Sequence, residues 1–146
     1  MKQEKSAGAV IYTIDENLKF LLLKYKTYWG FAKGMIESQE TIEETAKREI
    51  QEETSLDAIN IIPGFKHIQK WFYKLNNETV SKEAVFLLAK VSKEAAEKVK
   101  ISFEHENFAW LSYEDAIKKM KIKNNREMLE KAYEFILEFE KQKTLF

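Results

Sequence analysis

GMIESQETIEETAKREIQEETSL, residues Gly34 to Leu56, is the stretch from which the rest of the chain is read. Thr41 is placed to cap a helix, and Glu44, three residues on, reaches back to it in a capping box. Ile42, Ala46 and Ile50 recur at fourfold spacing and give that helix a narrow buried stripe. Glu52 and Glu53 lie three and four residues beyond Glu49, so the three carboxylates fall on one side at neighbouring turns beside the stripe. Carboxylates crowded at the edge of a buried face repel one another and lose hydration, which costs stability until a cation or a proton intervenes. Hard divalent ions, Mg²⁺ or Mn²⁺, suit an all-oxygen cluster of this kind. Helix geometry alone favours a plainer reading: Glu43 with Lys47 and Glu44 with Arg48 are i,i+4 pairs, and acidic helix faces are usually solvated.

Upstream, the apolar and β-branched runs Ala7 to Ile14 and Leu18 to Tyr25 flank Asp15-Glu16-Asn17, a pattern that predicts strand, turn and strand. Tyr28-Trp29-Gly30-Phe31-Ala32-Lys33-Gly34 breaks the pattern with two glycines and reads as a loop. Downstream, Ala58 to Ile62 predicts a short strand stopped by Pro63-Gly64. Phe65 to Leu75 and Val80 to Val91, joined by Asn76-Asn77, predict a long hairpin. Ser92 to Lys100 is polar, with room for a turn of helix, and Asn107 to Leu111 predicts a last short strand. Ser112 with Asp115 suggests a second capping box opening a short helix through about Met120. Met128, Leu129, Ala132, Phe135, Ile136 and Phe139 line one stripe of a final amphipathic helix, ordinarily a core face and otherwise a dimer contact. Helices and hairpins interleaved in this irregular way argue an α+β fold, a mixed sheet clasped by helices, and not a doubly wound parallel one.

At 146 residues the chain is one domain's worth, 1–146, with 45% hydrophobic and 33% charged residues, a globular balance. Lys+Arg 24 balances Asp+Glu 24, so no global positive field gathers nucleic acid and any polyanion is bound locally. Without cysteine there is no disulfide scaffold and no thiolate zinc site. MKQEKSAGAVIY lacks the apolar run of a signal peptide, and no stretch approaches the roughly 18 apolar residues of a membrane span. The expectation is a soluble cytoplasmic protein, monomer or homodimer, without a membrane partner.

The opening stretch also fits G-x5-E-x7-R-E-U-x-E-E-x-G-U, where U is Ile, Leu or Val, at Gly34, Glu40, Arg48, Glu49, Ile50, Glu52, Glu53 and Leu56; Ser55 stands where glycine belongs. It thereby resembles the Nudix box. That resemblance implies a Nudix-type α/β/α sandwich, with a mixed sheet and the motif loop-helix-loop on one side, and Mg²⁺-dependent hydrolysis of a diphosphate linkage. It implies Glu49, Glu52 and Glu53 as metal ligands, one of them orienting the water instead, with Arg48 orienting neighbouring carboxylates. Gly34 would let the backbone come close to the metal. Ser55 bears on the helix cap, at a cost of the order of 1 kcal/mol, and removes no ligand.

Beyond the box, Tyr28 to Gly34 (close to WGFPKG, with Ala32 in place of proline), Trp71-Phe72-Tyr73, Lys82 ahead of Ala84 to Ala89, and Glu104-His105-Glu106 followed by Trp110-Leu111 resemble the asymmetrical diadenosine tetraphosphate hydrolase branch. The likeness implies cleavage of that dinucleotide to ATP and AMP. Lys33 and Lys82 would then contact polyphosphate, Tyr73 would stack on adenine, and Glu104 would add a carboxylate as ligand or base. Each residue has an ordinary reading too: solvated strand-end lysines, a tyrosine with only its hydroxyl at the surface, a glutamate in a charged loop. His105 reads as a loop residue making a structural hydrogen bond. Alternatives of function are a pyrophosphohydrolase acting on another nucleotide or an RNA 5′ end, and a nucleotide-binding sensor without turnover.

Overall fold

Strand β1 (Lys2–Ile14) is buried continuously from Ser6 to Thr13, because the sheet continues on both its edges and helices cover both its faces. One edge runs parallel to β7 (Glu78–Lys90), from Lys2 opposite Val80 to Tyr12 opposite Lys90. The other edge is divided: β2 (Leu18–Lys24) pairs with residues 12–14, and β4 (Ala32–Met35) pairs with residues 6–9. Outside them, β3 (Trp29–Gly30) and β8 (Asn107–Leu111) join β2, while β5 (Asn60–Ile61) and β6 (His67–Leu75) join β7. Helices α1 (Ile42–Thr54), α2 (Lys93–Ala96), α3 (Tyr113–Lys119) and α4 (Lys123–Thr144) complete the fold. This is a computed structural model, and it describes residues 1–144.

Alternation along the strands sends side chains to two cores. Val10, Tyr12, Phe20, Leu22, Phe86 and Leu88 meet Ala116, Met120, Met128, Leu129, Ala132 and Ile136 beneath α3 and α4. Ala9, Ile11, Leu21, Leu23 and Ala89 meet Ile50, Leu56, Ala96 and Val99 on the α1 and α2 side. The result is the expected mixed sheet between helices. The α4 stripe packs into the core, with Phe135 and Phe139 half-buried at its margin.

Local expectations fail in two places. Residues 28–34 are not a loop: they contain β3 and β4, and β4 takes the edge of β1 that β2 vacates. The strand expected over 58–62 shrinks to Asn60–Ile61, paired with Lys90 and Ala89, and one further backbone bond runs from Ile62 N to Leu88 O at 2.9 Å. By contrast Asn76 and Asn77 make the hairpin turn with φ of 52° and 66°, left-handed values that asparagine tolerates.

Near its end, α4 is tied to the sheet by Glu140, which accepts from the Tyr12 hydroxyl at 2.9 Å and pairs with Lys90 Nζ at 3.0 Å. Burial alone would raise the Glu140 pKa, but the bonds from Lys90 and Tyr12 outweigh it and hold the carboxyl below its ordinary range. A depressed pKa stabilises the fold above the unfolded-state value and loses that contribution as pH falls through the folded-state one. Glu140→Gln is therefore expected to lower stability by about 1–3 kcal/mol at neutral pH. In urea unfolding, the gap to the unsubstituted protein should close as pH drops below about 4. A gap that does not change with pH would remove the carboxylate charge as its cause.

Candidate active site

Helix α1 begins as its sequence dictates: Thr41 Oγ1 accepts from Glu44 N at 3.1 Å, and Thr41 N donates to Glu44 Oε1 at 2.9 Å. Its next turns are organised by Arg48. The guanidinium donates through Nε to Glu40 Oε2 at 2.7 Å, and through Nη2 to Glu40 Oε1 at 2.9 Å and the Met35 carbonyl at 3.0 Å. Its Nη1 reaches Glu49 Oε1 at 2.8 Å and both Glu52 oxygens at 3.3 Å. The Arg48 bond, helped by the Glu37 N–H, holds the Glu40 carboxyl down at about 2. Glu52 remains largely exposed at the outer rim of this network, while Glu49 turns inward beside β4. A Cβ on Gly34 would overlap the Glu49 carboxylate, so a side chain there would displace that carboxylate from its place beside β4.

Glu53, one turn on, is only 2% exposed. Its Oε2 accepts from the Lys33 backbone N–H at 3.1 Å, and its Oε1 lies 2.7 Å from His105 Nε2. Burial first, then the adjacent Glu49 and Glu104, push the Glu53 carboxyl up to about 9. Glu53, Glu104 and His105 present donor atoms within 4.8 Å of one another, Glu104 being the exposed member. The fold thus gathers Glu49, Glu53 and Glu104 and links Glu52 to them through Arg48.

His105 is a loop residue making a hydrogen bond, as expected, but its partner is Glu53: it is buried there and abutted edge-on by Tyr25, 4.6 Å between ring centroids. Burial keeps its imidazole below the ordinary pKa against a smaller opposing effect of Glu104. The one signal in sequence was its adjacency to Glu104. Tyr25 in turn stacks on Tyr28 at 4.8 Å and donates to the Phe31 carbonyl at 2.7 Å.

Ser55 ends α1 in the left-handed conformation, φ 66° and ψ 10°, the conformation for which glycine is favoured. Its hydroxyl donates to the Lys100 carbonyl at 3.0 Å. Two backbone bonds run alongside, from Lys100 N to Thr54 O at 2.9 Å and from Ser102 N to Glu53 O at 3.1 Å. Ser55→Ala keeps the strained φ and loses the side-chain bond, so thermal unfolding should register a loss of about 1 kcal/mol. Ser55→Gly exchanges the bond for relief of strain and should change stability by less than about half of that. Equal losses in both would deny the hydroxyl its role.

Lys33 and Lys82 also come together, with Nζ atoms 4.7 Å and 5.8 Å from the Trp71 ring centroid. Burial, then the neighbouring Lys82, lowers the Lys33 pKa, with Glu53 opposing. Lys33 and Trp71 front a cleft of about 290 Å³ whose other walls include Tyr28, Gln69 and Asn125. Tyr73 lies on the same face of β6 as Trp71, nearer the hairpin tip, and donates to Glu4 Oε1 at 2.6 Å; the aromatic residues lining the cleft are Tyr28 and Trp71.

A box helix with Gly34 against it and acidic residues grouped at its end is matched at the level of whole-chain sequence: the family model of the NUDIX domain covers residues 3–132. The chain belongs to the NUDIX domain family. The asymmetrical bis(5'-nucleosyl)-tetraphosphatase of Mus musculus is 29% identical over 127 residues, 84% of this chain and 83% of the mouse protein. The dihydroneopterin triphosphate diphosphatase of Haemophilus influenzae is 34% identical over 142 residues, 89% and 87% of the two chains. Among solved structures, a C. elegans Ap4A hydrolase binary complex superposes with a TM-score of 0.78 at 28% identity, over 92% of this chain and 98% of that one. The protein is a Nudix hydrolase, and no helix among its described residues is long and apolar enough to cross a membrane.

Proposed function

We propose that this Nudix hydrolase cleaves diadenosine tetraphosphate asymmetrically, to ATP and AMP, in the cytoplasm and with Mg²⁺, for which Mn²⁺ can substitute. The observation that carries the reading is the juxtaposition of Glu49, Glu53 and Glu104 with two lysines over the face of Trp71. The mouse and C. elegans relatives support the choice of substrate.

A divalent cation fits the residues present. Glu53 is buried and crowded by two carboxylates until it holds a proton well above its ordinary range, and the glycine at 34 keeps the space beside Glu49 clear of any side chain. Glu49, Glu52, Glu53 and Glu104, with the Gly34 backbone beside them, would hold the ion. When bound, it supplies neutralisation of charge on the phosphate oxygens around the broken bond. The chain's own groups do the rest. Lys33 and Lys82 bind polyphosphate oxygens, and leave the Trp71 face as they do so; that face, with Tyr73 beyond it, receives the adenine. His105 and the Lys33 N–H fix the Glu53 carboxylate, and Arg48 fixes Glu49 and Glu52. Glu104, exposed and free of such restraints, takes a proton from the attacking water.

A second reading follows from the Haemophilus relative: release of diphosphate from a triphosphate carried on a bicyclic base. An RNA 5′ end is a further substrate of that kind, and a sensor that binds nucleotide without turnover is the reading outside enzymology. Purified protein with Mg²⁺ should be assayed against dinucleoside polyphosphates, nucleoside triphosphates, dihydroneopterin triphosphate, ADP-ribose and triphosphorylated RNA. Diadenosine tetraphosphate should be turned over with the highest kcat/KM. Preference for a triphosphate would favour the second reading, and binding without product would favour the sensor.

A further inference from the structure

A second basic cleft, of about 600 Å³, opens on the other side of Tyr28, and Lys24, Trp29, Lys118, Lys119 and Lys121 line it. These lysines come from three places in the fold: β2, the end of α3, and the link to α4. Lysines in the last turn of a helix complement its dipole, which accounts for Lys118 and Lys119 but not for their convergence with Lys24 and Lys121. Charge is scarcely balanced within the cleft. Asp115 is the one carboxylate among its lining residues, and Lys24 is 4.0 Å from Glu106. Among the described residues, Lys118, Lys119 and Lys121 form no ion pair within 4.0 Å. In a chain whose charges cancel overall, this is a local excess of cations.

The cleft also repeats the chemistry of the first one. Trp29 packs on the main core, and Lys119 Nζ lies over its ring at 5.4 Å from the centroid, as Lys33 and Lys82 lie over Trp71. Tyr28 is a wall of both clefts, and behind it Tyr25 and His105 lead to Glu53. Two indole faces under ammonium groups, on either side of one tyrosine beside the acidic group, suit a ligand with an aromatic base at each end and phosphates between.

We propose that the Trp29 cleft binds the distal nucleoside of a dinucleoside polyphosphate and its adjoining phosphate, an assignment that rests on the substrate class proposed above. The base stacks on Trp29, and Lys118, Lys119 and Lys121 take the phosphate as Lys119 leaves the ring.

Binding measured without turnover tests this separately from the reaction. With Mg²⁺ present, calorimetric titration of a methylene-bridged, non-hydrolysable diadenosine tetraphosphate is compared with adenosine tetraphosphate, which has one nucleoside. The dinucleoside compound should bind about tenfold tighter, the yield of one stacked base with its phosphate contact. The double substitution Lys118→Glu/Lys119→Glu, on two exposed side chains away from the acidic group, should reduce that advantage to less than about twofold and leave adenosine tetraphosphate nearly unaffected. Lys121→Glu should act in the same direction. Equal affinities for the two ligands, an advantage that survives the reversal, or an equal loss for both would overturn the assignment. So would a larger advantage for a triphosphorylated RNA dinucleotide than for the dinucleoside compound. If the affinity pattern appears but the dinucleotide is not hydrolysed, the cleft stands and the proposed reaction fails.

Discussion

Glu53→Gln is expected to lower kcat by roughly 10³-fold, the scale set by removing one preorganised charge from a site where phosphoryl charge is neutralised. The fold should survive. Glutamine keeps the carboxamide oxygen available to the Lys33 N–H and the shape of the buried side chain, while removing a charge that the surroundings already disfavour. Thermal unfolding in chelator should show Glu53→Gln at least as stable as the unsubstituted protein, and addition of Mg²⁺ should stabilise the latter more. Turnover within a few-fold of normal would remove Glu53 from the site, and a large loss of stability in chelator would assign it a structural role instead.

The second large effect is expected at Arg48. One guanidinium satisfies both oxygens of Glu40, one oxygen of Glu49, the rim carboxylate of Glu52 and a backbone carbonyl. Arg48→Ala leaves that acidic group without its organiser. The expected outcome is a fall in kcat of about 10²-fold, comparable to loss of a group that orients a ligand, together with about 2–3 kcal/mol of stability. Arg48→Lys should rescue little, because an ammonium is a point charge and has no fork to span Glu40 and Glu49 together. Steady-state kinetics and denaturant unfolding on both variants decide the matter. If lysine restores both properties, positive charge alone suffices and the fork geometry is irrelevant.

What could be read from sequence was what short-range physics decides. The Thr41 cap, the Asn76-Asn77 turn and the α4 stripe are each specified by residues within a few positions of one another, and each is present in the fold. Residues 28–34 looked like a loop because their glycines break any local strand pattern. They become strands only because β1 offers an edge between residues 6 and 9, a partner that no window of sequence contains. The acidic group was legible in part: helical spacing brought out Glu49, Glu52 and Glu53, while the separation of Glu52 toward the rim follows from where Arg48 holds it. For His105 the hydrogen bond was legible but its partner was not, because the contact with Glu53 spans 52 positions. Trp71 and Tyr73 share a face of β6, so periodicity could not choose between them. That Trp71 stands directly opposite Lys82 is a matter of register, which the sequence of one strand does not contain.

Ser55 has a larger consequence than the cap it forms. Through its hydroxyl and the two backbone bonds beside it, the C-terminal end of the box helix is stitched to residues 100 and 102, immediately before Glu104 and His105. Segments about a third of the chain apart in sequence are thereby joined directly beside the acidic group. The join sets Glu53 beside His105 through contacts of the backbone itself, so the buried half of the acidic group is positioned by the fold, with Glu104 left exposed at its edge.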